Sequence, residues 1–321
     1  MVQLPAYLKL SPKEINQKFN NIERLEKDRI SKSLQSQQES QFTLINALHP
    51  SNRSKNRYSN VLPYDHTRVK ISDYQKQSSN STQDYINANH IELDQTHQYI
   101  TTQAPILNTL TDFWQMIYQK SDRGEIVDIV MLTPLVEKGI EKSSKYWIND
   151  IGKRFKVSND GSYQTDIVIE CLNKNKIHNY LNLTEICLKV YDHTTNQLIS
   201  SKRISHWHII NWGDFNKPQD WISIYELSKN IRQTLKSPDS ANPLFIHCSA
   251  GVGRSGTFIV LDYLFNQPLD ILLNDQDIIE NTVLRLREQR LMMVQSPIQY
   301  QYLYDTIKDY ILNNLSHKQK T

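Results

Sequence analysis

Cys248 and Arg254 are the residues of this chain best placed to do chemistry together. They stand with five residues between them in the run His247-Cys248-Ser249-Ala250-Gly251-Val252-Gly253-Arg254-Ser255-Gly256-Thr257. Three of the chain's eight glycines fall in the six residues from Gly251 to Gly256. Glycine is placed where the backbone must turn tightly or come close to a ligand. An apolar stretch, Pro243-Leu244-Phe245-Ile246, precedes the run and another, Thr257-Phe258-Ile259-Val260-Leu261, follows it, so the spacing predicts strand, tight loop, helix. That geometry points backbone N–H groups and a helix N-terminus at one spot, which makes an anion site. The planar fork of Arg254 matches two phosphate oxygens at once. The same positive potential favours the thiolate of Cys248 over a thiol whose unperturbed pKa is about 8.5. The expected result is a nucleophile lying beneath a bound phosphate.

Three other readings compete. Cys248 alone reads as an inert core cysteine at a strand end. Gly251-Val252-Gly253-Arg254-Ser255-Gly256 matches the dinucleotide pattern G-x-G-x-x-G, with Asp275 and Asp277 roughly 20 residues on as that fingerprint asks. That pattern belongs in the first βαβ unit of a Rossmann domain, and a bulky arginine in the turn crowds a pyrophosphate. A P-loop needs Gly-Lys-Ser/Thr after four free positions, and no lysine is there.

The elements that must position this loop are legible in outline. Ser11-Pro12-Lys13-Glu14 predicts a helix start, with Ile15, Phe19, Ile22 and Leu25 on one face. Residues 72–83 read as a polar surface loop. Ile126–Leu132 is a short apolar run and predicts a buried strand. Residues 149–205 alternate polar and β-branched side chains, which predicts antiparallel strands with one wet face. Ile222–Leu235 has helical periodicity. Ser296-Pro297 starts a last helix with the stripe Tyr300, Leu303, Tyr304, Ile307 and Ile311, and the polar stretch from Asn313 onward is expected to fray. The fold expected is α+β, a single domain with a highly twisted mixed β-sheet flanked by helices. Residues 1–40 are expected as an N-terminal helical segment packed on a catalytic domain at 41–315, with 316–321 a disordered tail.

Composition bounds the rest. A chain of 321 residues, 38% hydrophobic and 22% charged, is long enough for one large core. The net charge of +3 gives no reason to expect nucleic acid as a partner. No apolar run approaches the roughly 20 residues of a bilayer span, so no membrane insertion is expected. Cys171, Cys187 and Cys248 suit neither a disulfide framework nor a zinc site, so no metal and no cofactor are expected. The first ten residues lack the blocks of a signal peptide, and a reducing, cytoplasmic setting is the expectation. Nothing here fixes an oligomeric state.

The loop His-Cys-Ser-Ala-Gly-Val-Gly-Arg-Ser-Gly resembles the signature of the cysteine-dependent, phosphotyrosine-specific protein tyrosine phosphatases of the non-receptor type. Further stretches resemble that family in order: Lys55-Asn56-Arg57-Tyr58, Asp84 to Asn89, Gln103-Ala104-Pro105, Asp112 to Met116, Trp212 to Pro218, and Gln289-Arg290 with Met293-Val294-Gln295 and Gln299-Tyr300. The compact, asparagine-rich chain is most similar to small fungal members.

The resemblance implies phosphotyrosine proteins as substrates and a two-step reaction. Cys248 would attack phosphorus, Asp214 would serve as general acid and then base, and Gln295 would orient water with help from Gln299. Ser255 would donate to the departing sulfur, with helix capping as its competing role. Capping of the last helix likewise competes for Gln295 and Gln299. Arg254 would bind phosphate alongside the N–H groups of Ser249, Ala250, Gly251, Val252 and Gly253. Tyr58, Val61, Phe215, Ala250 and Val252 would wall a deep slot, and Asn60 would meet the peptide backbone. His247 reads as a brace for the loop rather than a base. Glu137 would fix the fork of Arg254, Lys142 would touch the acid loop, and Trp212 would anchor it.

Departures matter as well. Gly213 stands where the family usually has proline, which predicts a costlier loop closure. Asn60 replaces an aspartate, Ser59 lacks an arginine that some relatives have, and Met292 is expected to fill a secondary phosphate site. The competing functions are a catalytically silent phosphotyrosine-binding module and a dual-specificity phosphatase.

Overall fold

The computed structural model describes residues 4–36, 39–72, 84–124, 126–159, 161–213, 218, 220–234 and 242–318. The helices are α1 (Pro12–Gln35), α2 (Ile45–Leu48), α3 (Leu110–Gln119), α4 (Ile222–Thr234), α5 (Gly253–Phe265), α6 (Leu269–Leu272), α7 (Ile278–Gln289) and α8 (Pro297–Lys318). The strands are β1 (Arg68–Lys70), β2 (Tyr85–Glu92), β3 (Gln98–Thr102), β4 (Ile126–Met131), β5 (Val136–Glu137), β6 (Ile140–Glu141), β7 (Arg154–Lys156), β8 (Thr165–His178), β9 (Leu181–Asp192), β10 (Leu198–Ile209) and β11 (Leu244–His247).

Helix α1 starts where its sequence says. The Ser11 hydroxyl accepts the Glu14 N–H at 3.4 Å while the Glu14 carboxylate accepts the Ser11 N–H at 2.8 Å, a reciprocal cap with Pro12 at the first helical position. Its buried face carries Ile15, Phe19 and Ile22.

Nine strands form one mixed sheet in the order β1-β2-β3-β11-β4-β10-β9-β8-β7. The short strand β11 is fully buried, a run of apolar residues covered on both sides. It pairs in parallel with β3 and with β4, and β4 pairs in parallel with β10. The predicted antiparallel stretch is β7 to β10, each strand antiparallel to the next. Successive residues of β11 face opposite layers. Phe245 packs with Phe113, Trp114 and Ile117 of α3, and Ile246 packs with the α5 and α8 core around Phe258, Tyr300 and Leu303. The sheet is thus the wall between two apolar layers, as expected for an α+β fold.

Helix α5 begins at Gly253, which places Arg254 and Ser255 in its first turn. Helix α8 continues through Lys318 instead of fraying from Asn313, so 316–318 are not tail. Leu315 still packs on the core there, and the Asn314 side chain donates back to the Tyr310 carbonyl at 2.8 Å. Of the loop expected at 72–83, all but Ser72 lies outside the described residues.

Candidate active site

Strands β3, β4 and β11 end together at Thr102, Met131 and His247, and the crevice beyond the carboxyl ends of parallel strands is where α/β sheets bind ligands. The loop from Cys248 to Val252 crosses that crevice and runs into α5. Gly251 takes φ +72°, and a Cβ there would lie 2.1 Å from the Thr102 carbonyl oxygen, so only glycine fits.

The loop folds its N–H groups onto the sulfur. Gly251 donates to Cys248 Sγ at 3.2 Å. Burial pushes the thiol pKa up. The Arg254 guanidinium, the Ser255 hydroxyl and the Ser255 and Val252 N–H groups outweigh it, leaving Cys248 below the ordinary thiol range. Ser255 is buried, and the helix begins two residues before it, so it is not the cap of α5; Val252 occupies that position with no side-chain cap.

Arg254 is 1% exposed and fixed from one side. Its Nη1 donates to Thr133 Oγ1 at 2.8 Å and to the Leu132 carbonyl at 3.2 Å, and its Nη2 meets Glu137 Oε2 at 2.8 Å. Glu137 is presented by the two-stranded ribbon of β5 and β6, whose turn residues Lys138 and Gly139 both have positive φ, 50° and 76°.

The walls gather around this loop. Ser249 Oγ donates to the Lys142 carbonyl at 2.9 Å, so the Tyr58 hydroxyl, 2.8 Å away, is the donor to Ser249. Val61 is buried and Asn60 exposed, Ala250 is half-buried, and Val252 is buried. An ideal Cβ on Gly253 would lie 3.1 Å from the Gln299 amide and 3.2 Å from Gln295 Cβ, which brings both glutamines against the loop. Gln299 also completes a capping box on α8: its Oε1 accepts the N–H groups of Gln295 (3.0 Å) and Ser296 (3.3 Å), and Ser296 Oγ accepts the Gln299 N–H (3.2 Å). Trp212 is buried. Asp214 and Phe215 lie outside the described residues, and with them the expected contact of Lys142.

His247 is buried and hydrogen-bonded to the backbone of its own loop. Its Nδ1 lies 2.9 Å from the Cys248 carbonyl and must donate, so Nε2, 2.6 Å from the Tyr146 hydroxyl, accepts. That hydroxyl then accepts from His206 Nε2 at 2.7 Å. Burial above all lowers the His247 pKa to about 4, and burial foremost drives His206 well below the ordinary imidazole value. Both rings are therefore neutral at neutral pH, a floor of His206, Tyr146 and His247 beneath the Cys248 backbone. Asp277, one of the two acids that a dinucleotide reading would enlist, instead caps α7 by accepting the Glu280 N–H at 3.0 Å.

Sequence reasoning missed Tyr146 and His206. It quoted Arg290 without a role. This arginine is fully buried and donates from Nε to the Gly251 carbonyl (3.0 Å), from Nη2 to the Ala250 carbonyl (3.0 Å) and Asn87 Oδ1 (2.8 Å), and from Nη1 to Asn89 Oδ1 (2.6 Å). By drawing two loop carbonyls outward it turns the N–H groups inward. An arginine just past the end of α7 gave no such signal; the alternation of Asn87 and Asn89 on β2 was the available hint.

A family model described as Protein-tyrosine phosphatase matches residues 52–309. The chain belongs to the protein-tyrosine phosphatase family. Protein tyrosine phosphatase activity, a hydrolase reaction, is accordingly its function. The chain is 33% identical over 350 residues to Tyrosine-protein phosphatase 1 of Saccharomyces cerevisiae, an alignment that covers 99% of this chain and 100% of that one. It is 33% identical to Tyrosine-protein phosphatase 1 of Schizosaccharomyces pombe, over 91% of this chain and 50% of the relative. The fold superposes on PTPN18 in complex with HER2 phosphopeptides with a TM-score of 0.75 at 25% identity, over 92% of each chain. The expected likeness to fungal phosphatases is thus borne out. Among the described residues, no helix is long and apolar enough to cross a membrane.

Proposed function

We propose that this chain removes phosphate from phosphotyrosine side chains of proteins by way of a phosphocysteine on Cys248. In the first step the Cys248 thiolate attacks phosphorus, the P–O bond to the ring breaks, and Asp214 gives its proton to the leaving phenolate, whose pKa is otherwise near 10. In the second, water oriented by Gln295 attacks phosphorus and gives a proton to Asp214. The P–S bond breaks, and Ser255 donates to the returning thiolate. Arg254 and the N–H groups from Ser249 to Gly253 bind the phosphoryl oxygens throughout, and Gln299 assists Gln295. Every bond and proton in this scheme is handled by side chains of the chain itself.

The observation that carries the reading is the buried, acidified sulfur of Cys248 beneath a guanidinium locked by Glu137. Depth supplies the preference for tyrosine: with Tyr58, Val61 and Phe215 as walls and Asn60 at the rim, only the longer side chain places phosphorus over the sulfur. His247, Lys142 and Trp212 act as supports. The substrates proposed are phosphotyrosine-containing proteins of the cytoplasm, in line with the phosphopeptides bound by PTPN18. Residues 41–315 form the proposed catalytic domain, with the segment at 1–40 packed on it.

The test is turnover of an aryl phosphate and of matched phosphotyrosine and phosphoserine peptides. Hydrolysis is expected to survive a chelator, to favour phosphotyrosine, and to vanish with Cys248→Ser. Asp214→Ala is expected to lower kcat far more than binding and so to retain substrates on a column. Residual turnover in Cys248→Ser, or equal cleavage of both peptides, would overturn the reading.

A further inference from the structure

We propose that Glu26, on helix α1, is a positioning residue for the second chemical step: paired with Arg287, it imposes the backbone shape of residues 291–295 that aims Gln295 at the phosphocysteine. The inference rests on the reading of Gln295 as the residue that orients water.

The loop does not favour its own shape. Met292 has φ +60° and Val294 φ +61°, both in the left-handed region. A side chain disfavours that region, and a β-branched residue such as Val294 does so most. Strain of this kind persists only where the surroundings over-determine it, and it gathers at functional sites.

What over-determines it here is one buried ion pair. The Met292 N–H donates to Glu26 Oε1 at 2.9 Å. Arg287 Nε donates to the Met293 carbonyl at 2.9 Å and Nη2 to the Val294 carbonyl at 2.8 Å. Arg287 Nη1 returns to Glu26 Oε2 at 3.2 Å and closes the circuit. Backbone groups of three successive residues therefore end on two side chains, which are 8% and 3% exposed. Phe19 of α1 lies under the guanidinium, 5.3 Å from its carbon, and Arg29 of α1 donates to the Arg287 carbonyl at 2.8 Å. On the opposite side the loop is pinned to the phosphate site: the Val294 N–H donates to the Val252 carbonyl at 3.2 Å. Gly256 leaves room for this, since a Cβ there would come within 2.4 Å of the Val294 nitrogen.

A buried ion pair is a poor device for stability, because well-packed apolar side chains serve as well or better. Its use here is geometric. It converts the docking of α1, which precedes the family-matched residues 52–309, into the direction of a side chain beside the phosphate loop.

Rapid-quench kinetics on para-nitrophenyl phosphate, with intact-mass detection of phosphocysteine, separate the two steps. In Glu26→Ala and in Arg287→Lys, nitrophenolate release in the first turnover is expected to stay within about twofold of the parent, while kcat falls about tenfold and phosphoenzyme accumulates. Glu26→Gln keeps an acceptor for Met292 and is expected to fall between parent and Glu26→Ala. Gln295→Ala is the reference and is expected to accumulate phosphoenzyme at least as strongly. Should Glu26→Ala not fold, Arg287→Lys, which preserves charge and most of the volume, gives the same readout. If Gln295→Ala accumulates phosphoenzyme and neither the Glu26 nor the Arg287 variant does, or if those variants slow both steps alike, the positioning role is wrong. If Gln295→Ala accumulates none, the reading of Gln295 fails and the inference with it.

Discussion

Two loops, Cys248 to Val252 and the glutamine loop at 291–295, meet where the Val294 N–H reaches the Val252 carbonyl, and they are built on opposite principles. The phosphate loop, Cys248 to Val252, reaches its left-handed turn with a glycine, Gly251 at φ +72°. Its carbonyls are gathered by Arg290, whose remaining donors go to the neutral amides of Asn87 and Asn89. The glutamine loop makes two left-handed turns without any glycine, at Met292 and Val294. Its carbonyls are gathered by Arg287, which is balanced by the carboxylate of Glu26. The first loop is close to its own preferred conformation and is merely clamped. The second is bent against preference, and its shape depends on a distant helix. On the proposed mechanism the anion cradle serves both steps, and its form is written locally. The loop proposed to serve only the second step is held from outside.

The largest effect should come from violating the local design. Gly251→Ala forces the backbone off the Thr102 carbonyl, and a displacement near 1 Å at a reacting centre costs roughly 100-fold or more in rate. We expect kcat/KM to fall at least that far, with a lower Tm; activity near the parental value would refute the claim that the turn admits only glycine. Next in size is Arg290→Lys. A single ammonium cannot serve four acceptors in a planar array. Each buried oxygen left without a donor costs about 1–3 kcal/mol. Urea unfolding is expected to show a loss of about 3 kcal/mol, and a loss below 1 kcal/mol would mean that the clamp is dispensable.

The neutral floor beneath the phosphate loop contrasts with the ionic brace of the other. His206, His208 and His247 all have pKa values lowered chiefly by burial, that of His247 to about 4. In the unfolded chain each takes up its proton near pH 6.5. Between about pH 6.5 and 4 the unfolded state therefore binds more protons, and stability present at neutral pH is lost as pH falls. At pH 5 the loss from His247 alone is about 2 kcal/mol. Denaturant midpoints measured from pH 7 to 5 should fall accordingly and fall less in His206→Phe; parallel curves would mean that the ring is not neutral in the fold. The smallest effect belongs to Met292→Gly. It removes a left-handed penalty of roughly 1–2 kcal/mol and gives up half-buried contacts of similar size. Tm is expected to stay within a few degrees of the parent or to rise, and a marked fall would argue that Met292 is not strained.

Much of this was legible in the sequence because the signals are local. The Ser11 to Glu14 cap, the apolar run of β4, the alternation of β8 and β9 and the stripe of α8 are each fixed by neighbours along the chain. So was the meeting of Cys248 with Arg254, which lie on one loop and its following helix turn. Glu137 and Gln295 were named from family resemblance, and the geometry brings both to the loop. What stayed hidden was long-range and polar. No periodicity marks Glu26 as the partner of Arg287, or Tyr146 as the bridge between His206 and His247, since each is set by how helices and strands pack in three dimensions. The end of α8 was misjudged because composition near Asn313 is polar while a single leucine, Leu315, still finds the core.

The ribbon of β5 and β6 has a consequence for how the enzyme responds to heat. It is only two short strands, it stands apart from the nine-stranded sheet, and its Val136 and Ile140 are 59% and 61% exposed. An isolated two-stranded hairpin is marginal in water, and regions with little buried surface open first. Yet this ribbon presents the carboxylate that orients Arg254. Warming should therefore silence the enzyme reversibly several degrees before the globule melts, so that catalysis acts as a thermometer for a hairpin outside the main sheet.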